Sequence, residues 1–139
     1  MSTQKQMPQS GFKVINLVLM ESSFKREQHV TFDDSQVEHT AEFDINVQTR
    51  DPQVVVTETL NYSHRVADTV ELTAKIVMLG IFEKIGDSPI GLKEFGHVNG
   101  AAIIFPYIRE HLTSMSAKAG LGMIVLPPMN FIRKESDLK

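Results

Sequence analysis

The chain has 139 residues, 42% hydrophobic and 22% charged, with a formal net charge of −3. That length supports one domain with a real core, and the slightly acidic balance excludes the basic face that nucleic-acid binding uses. Cysteine is absent, which excludes disulfides, thiolate catalysis and cysteine-based zinc sites.

Residues 1–10 are polar and are expected to form a disordered leader, since they hold no apolar run of signal-peptide length. No stretch approaches the about 18 apolar residues of a membrane span, so no membrane insertion and a cytoplasmic address are expected. A single domain over 11–131 and a short C-terminal tail over 132–139 complete the expected organisation.

Phe12–Met20 is apolar in both registers, with Phe12, Val14 and Val18 on one side and Ile15, Leu17 and Leu19 on the other. This predicts a strand covered on both faces. A polar crossing is expected from Glu21 to Val37, its large apolar residues being Phe24, Val30 and Phe32. Ala41, Phe43, Ile45 and Val47 then alternate with Glu42, Asp44, Asn46 and Gln48, a half-buried strand. Arg50-Asp51-Pro52-Gln53 marks a turn. Val54, Val56, Leu60, Tyr62 and Val66 continue the period to a second short turn at Asp68. Val70, Leu72, Ala74, Ile76 and Met78 resume it. Short links favour an antiparallel meander. Near its end the fourth strand adds Val77, Leu79 and Ile81 on its other face.

After the breakers Gly86-Asp87-Ser88-Pro89 and Gly91 the period becomes helical. Val98, Ala101 or Ala102, Phe105, Ile108, Leu112, Met115 and Ala119 fall at spacings of three and four. Pro106 predicts a kink or break there, and Gly120 a C-terminal cap. Leu121 to Leu126 is an apolar arm that Pro127-Pro128 keeps extended. The elements add up to an α+β fold: a four-stranded antiparallel sheet with a long kinked helix packed on one side.

Candidate chemistry is sparse. Gly120-Leu121-Gly122 follows a helix instead of opening one, so it makes no phosphate cradle. His97 and His111 are too far apart on the helix to share a metal, and His29, His39 and His64 are scattered, which predicts surface or interface histidines. No serine has a nucleophile-elbow context. Asp33-Asp34 and the Glu42/Asp44 pair read as solvated acids. No enzyme, catalytic residue, metal or cofactor is expected. The apolar arm and strands exceed what one helix can cover, and such surplus points to self-association or a partner groove. Seven methionines, among them Met115, Met123 and Met129, suit surfaces that accept varied side chains.

Three motifs occur in a fixed order. They are Gly80-Ile81-Phe82, then Phe105-Pro106-Tyr107 with Arg109-Glu110 and Thr113-Ser114-Met115, then Leu126-Pro127-Pro128-Met129-Asn130-Phe131. Their order and spacing resemble the SecB family of bacterial protein-export chaperones, over Phe12 to Phe131 and including Ser23-Phe24. The resemblance implies a dimer of dimers (a homotetramer) and ATP-independent holding of unfolded chains in surface grooves. Members that deliver cargo to the export ATPase carry acids on the solvent face of the sheet. Glu21 fits that role, but Lys25 and Lys75 stand where acids are expected. The family's second helix and acidic tail have no counterpart after Phe131. Weak docking to the export ATPase is therefore expected. SecB-like chaperones also occur beside toxin–antitoxin pairs, protecting an aggregation-prone antitoxin, and this specialised role is the expectation. A general export chaperone and an adaptor for one folded partner are the alternatives.

The client groove is expected at Phe24, Val77, Leu79, Phe82, Leu121, Met123, Ile124, Leu126 and Met129. The helix stripe Phe105, Ile108, Leu112 and Met115 is expected to form the interface between copies.

Overall fold

The computed structural model describes residues 11–33 and 35–131; the leader expected at 1–10 and the tail expected at 132–139 lie outside them. Strands β1 (Phe12–Arg26), β2 (Val37–Arg50), β3 (Gln53–Val66) and β4 (Thr69–Lys84) form one antiparallel sheet in the order β1-β4-β3-β2. Both predicted turns are present as two-residue hairpins, Asp51-Pro52 closing Arg50 on Gln53 and Ala67-Asp68 closing Val66 on Thr69. Ala67 has a φ of 52°, the positive value that the primed two-residue hairpin turns place at their first loop residue.

The predicted alternation of β3 and β4 appears as burial. Val54, Val56, Leu60 and Tyr62 on β3, with Leu72, Ala74, Ile76, Met78 and Phe82 on β4, face the core. Helix α1 (Leu92–Phe95), a π-helical turn (Gly96–Gly100) and helix α2 (Ala101–Lys118) cover that face. The approach is close. A Cβ on Gly96 would lie 2.6 Å from Val47 Cγ1, and one on Gly80 would lie 2.9 Å from Ile104 Cδ1.

The break expected at Pro106 is not there, and α2 runs through it. Proline deletes a single N–H, while Ala101, Ile104 and Phe105 before it and Ile108 and Leu112 after it press the same face onto the sheet. The irregularity lies upstream, in the π turn.

β1 differs most from expectation. Residues 21–26, expected as a crossing, stay in the sheet, with Glu21 opposite Val77 and Arg26 opposite Leu72. Register shifts at Ile15 and Met20 each insert one unpaired residue. Phe12, Val14, Leu17, Leu19, Ser22 and Phe24 therefore share the helix side, a grouping that simple alternation cannot give. Nor is β1 covered on both faces. It is an edge strand, and Val14, Ile15, Leu19 and Met20 are exposed.

Candidate functional site

Beyond α2 the chain turns at Gly120 and Gly122, both with φ of 76°, and folds back along the helix as an arm. Two side chains of α2 fasten it. Ser116 Oγ accepts from Ile124 N at 2.9 Å, and Thr113 Oγ1 donates to Ile124 O at 2.7 Å. Side chains then alternate: Ile124 and Leu126 pack inward, while Met123 and Val125 are 74% and 64% exposed. Further along, Phe131 meets the Phe105 ring, which also contacts Phe43, so the arm's end reaches the β2 side.

Between the arm and the sheet lies a cleft of about 380 Å³. One wall is the arm from Leu121 to Pro127, and the other is Val30, Thr31 and Phe32 of the β1–β2 crossing. Phe32 is 69% exposed, an aromatic side chain left in water at the cleft mouth. His39, Tyr62 and His64 line the same cleft.

These three belong to a polar network. Glu71 accepts from Thr31 N at 2.9 Å, from Thr31 Oγ1 at 3.1 Å and from His64 Nε2 at 3.1 Å. The Thr31 backbone N–H holds the Glu71 carboxyl below its usual range, with the Thr31 hydroxyl and His64 adding to it against the opposing effect of desolvation. His39 Nδ1 and Tyr62 OH share a hydrogen bond of 2.7 Å, and the His39 ring stands edge-on to His64. Burial pushes the Tyr62 phenol up. The network pins the crossing onto the sheet, so the far wall of the cleft is fixed by hydrogen bonds and the near wall by the staples from α2.

On the outer side of the arm, Met123 and Val125 also border a shallower groove of about 400 Å³ with Pro106, Arg109, Thr113 and Ala117. The arm is thus a ridge with an apolar crest between two depressions.

The structure brings together four of the nine expected groove residues: Leu121, Met123, Ile124 and Leu126 line the cleft. Val77 and Leu79 lie on the opposite face of the sheet, out of phase with buried Ile76 and Met78. Phe82 is fully buried and meets Phe95 edge-on, so it belongs to the core. Phe24 is partly buried against the core, and Met129 is exposed on the arm beyond the cleft.

The expected interface stripe is also placed differently. Phe105, Ile108 and Leu112 are buried against the chain's own sheet and leave no surface for a second copy. Met115 is partly exposed, in reach of Ser22 Oγ at 3.5 Å.

Sequence reasoning missed Val30, Thr31, Phe32, His39, Tyr62 and His64 as cleft residues. His64 is buried, not a surface histidine. Its position in β3, in phase with Leu60 and Tyr62, was the available signal.

The family model for preprotein translocase subunit SecB matches residues 4–133. The chain belongs to the SecB family. The SecB protein-export protein of Hahella chejuensis is 26% identical over 135 residues, covering 94% of this chain and 85% of that protein. Its counterpart from Saccharophagus degradans is 31% identical over 64 residues, 46% of this chain and only 38% of that protein's length. Among solved structures, the Mycobacterium tuberculosis Rv1957 SecB-like chaperone, in complex with a ChAD peptide from the Rv1956 HigA1 antitoxin, superposes with a TM-score of 0.72. At 17% identity, over 86% of this chain and 91% of that one, this likeness establishes a shared SecB-like fold.

Glu21, the expected docking acid, lies on the open face of the sheet with Lys75 Nζ 3.4 Å away. Both are about half exposed.

Proposed function

We propose that this chain is an ATP-independent holdase of the cytoplasm, working as a homotetramer and specialised for stabilising an antitoxin of a toxin–antitoxin system. The observation that carries the reading is the cleft, with its two fixed walls and the uncovered side chains of Phe32, Met123 and Val125 at its mouth. Each large client side chain buried there contributes roughly 1.5–3 kcal/mol before ordering costs. A few such anchors, less those costs, leave about −8 kcal/mol, a micromolar site. Several clefts on one assembly raise avidity with no new contacts, so a chain is held and still leaves without nucleotide hydrolysis.

Two observations support the specialised role. The structural relative Rv1957 was solved with an antitoxin peptide. The Lys75 ammonium beside Glu21 offsets the acid that export docking would use. The second reading, delivery of unfolded precursors to the export ATPase, draws on the end-to-end similarity to an export-named SecB protein.

Met123→Asp together with Val125→Asp, at positions already in water, should abolish suppression of aggregation of a denatured model protein without unfolding the chain. Undiminished holding by this folded variant would remove the arm from the site. A genomic neighbourhood holding a toxin and an antitoxin, with the antitoxin stabilised on co-expression, separates the first reading from the second. Micromolar binding to the purified export ATPase would favour the second.

A further inference from the structure

Resting on the reading of the cleft as a client site, the backbone of the arm points to how a client is gripped. In an extended chain the N–H and C=O of one residue point to the same side and those of its neighbours to the other. Ile124 turns both of its groups toward α2, where Ser116 and Thr113 take them. The side chains around it alternate in burial from Met123 to Pro127, as an extended segment requires. The N–H and C=O of Met123 and Val125 therefore point away from the helix. Among the described residues those four groups have no hydrogen-bond partner.

We propose that Met123 and Val125 form a short strand edge, and that an extended segment of an unfolded polypeptide is held by pairing its backbone with that edge inside the cleft. Four main-chain groups at alternate positions are what an added β-strand reads. The same groups recur in every unfolded chain, so this grip is indifferent to client sequence. Side chains on one face of the client would point toward Tyr62 and Leu126, and those on the other would stay in water.

The edge is also bounded. Gly122, with φ of 76°, turns the chain at one end, and Pro127, which has no N–H, stops the donor series at the other. An edge of two residues pairs too few groups to trap a client. The cleft is walled on one side by the arm and on the other by the crossing, so it has room for one extended chain and none for the neighbouring strands that a folded partner's edge brings with it; an unfolded segment is the occupant that fits.

The test uses the full chain and a soluble octapeptide of alternating valine and serine with lysine at each end. A matched peptide carries esters in place of the central amides, which removes N–H donors with little change in shape. The ester peptide should bind roughly tenfold more weakly, the worth of one or two lost hydrogen bonds. Saturation with the amide peptide should also slow hydrogen exchange at the Met123 and Val125 amides. Equal affinity for the two peptides, or unprotected amides at saturation, would overturn the edge while leaving the cleft as a client site. No binding of the amide peptide overturns both. Protection that grows with protein concentration in the absence of peptide would give the edge to a second copy and overturn the proposal.

Discussion

Glu58 occupies the middle of β3 on the helix side, with no exposed surface and neither carboxylate oxygen hydrogen-bonded. Its cross-strand neighbours are Ile45 and Met78, which offer no charge, and burial pushes its pKa from 4.5 up to about 8. Between those two values the folded chain keeps a proton that the unfolded chain has released. Glu58 therefore withdraws stability as pH rises through that window, by an amount on the order of a few kcal/mol. Urea titrations at pH 6 and pH 9 should show the native chain weaker at the higher pH and Glu58→Gln much less affected. An unchanged pH slope in the variant would exonerate Glu58. Glu71 acts in the opposite sense: its carboxyl is held low, so its contribution is present above the unfolded value and fades as pH falls through the folded one. Neither residue was legible as such. An apolar period tolerates one misfit, so Val56 and Leu60 identify the strand whatever lies between them. Glu71 could not be tied to Thr31 and His64 before the crossing was placed.

At the level of elements, legibility followed regularity. β2, β3 and β4 carry a period of two bounded by turn residues, and the structure keeps those strands and both hairpins. β1 lost its phase because each register shift adds a residue that no side-chain type announces. The arm was visible as apolar and proline-ended, and Leu121, Met123, Ile124 and Leu126 as groove residues came from that. Its attachment was not visible, because Thr113 and Ser116 look like any polar residues on a helix. These two staples should matter. Thr113→Val with Ser116→Ala leaves both Ile124 groups unpaired, and the double variant is expected to lose about 1–3 kcal/mol in denaturant unfolding. Limited proteolysis should then cut the arm first, with holding activity falling alongside. An arm that stays protected in the double variant would mean that Leu126 and Phe131 suffice to seat it.

The whole molecule leaves its clearest unsatisfied surface along β1. The strand is an edge, and Val14, Ile15, Leu19 and Met20 are 45–58% exposed. With Phe105, Ile108 and Leu112 taken up by the chain's own core, this edge is the better candidate for contact between copies. Light scattering should give a particle of about four times the 15.6 kDa chain mass, and Leu19→Lys with Met20→Lys should reduce it. A tetramer that survives both lysines would place the contact elsewhere. That apolar surface exceeded what one copy hides was readable from composition and pattern alone. Which residues made up the excess was not, because that depended on the phase of β1 and on which side of α2 met the sheet.

The position of β1 beside β4, with β2 and β3 beyond, imposes a wait. Phe12 pairs with Lys84 and Arg26 with Leu72, so the earliest strand to be synthesised has no partner until the last one has emerged. At roughly 5–20 residues per second on the ribosome, the interval is roughly several seconds. The β2–β3 hairpin can close meanwhile, and β1 cannot. For that time each newborn copy displays a bare apolar strand, the kind of object that its finished form is proposed to shelter.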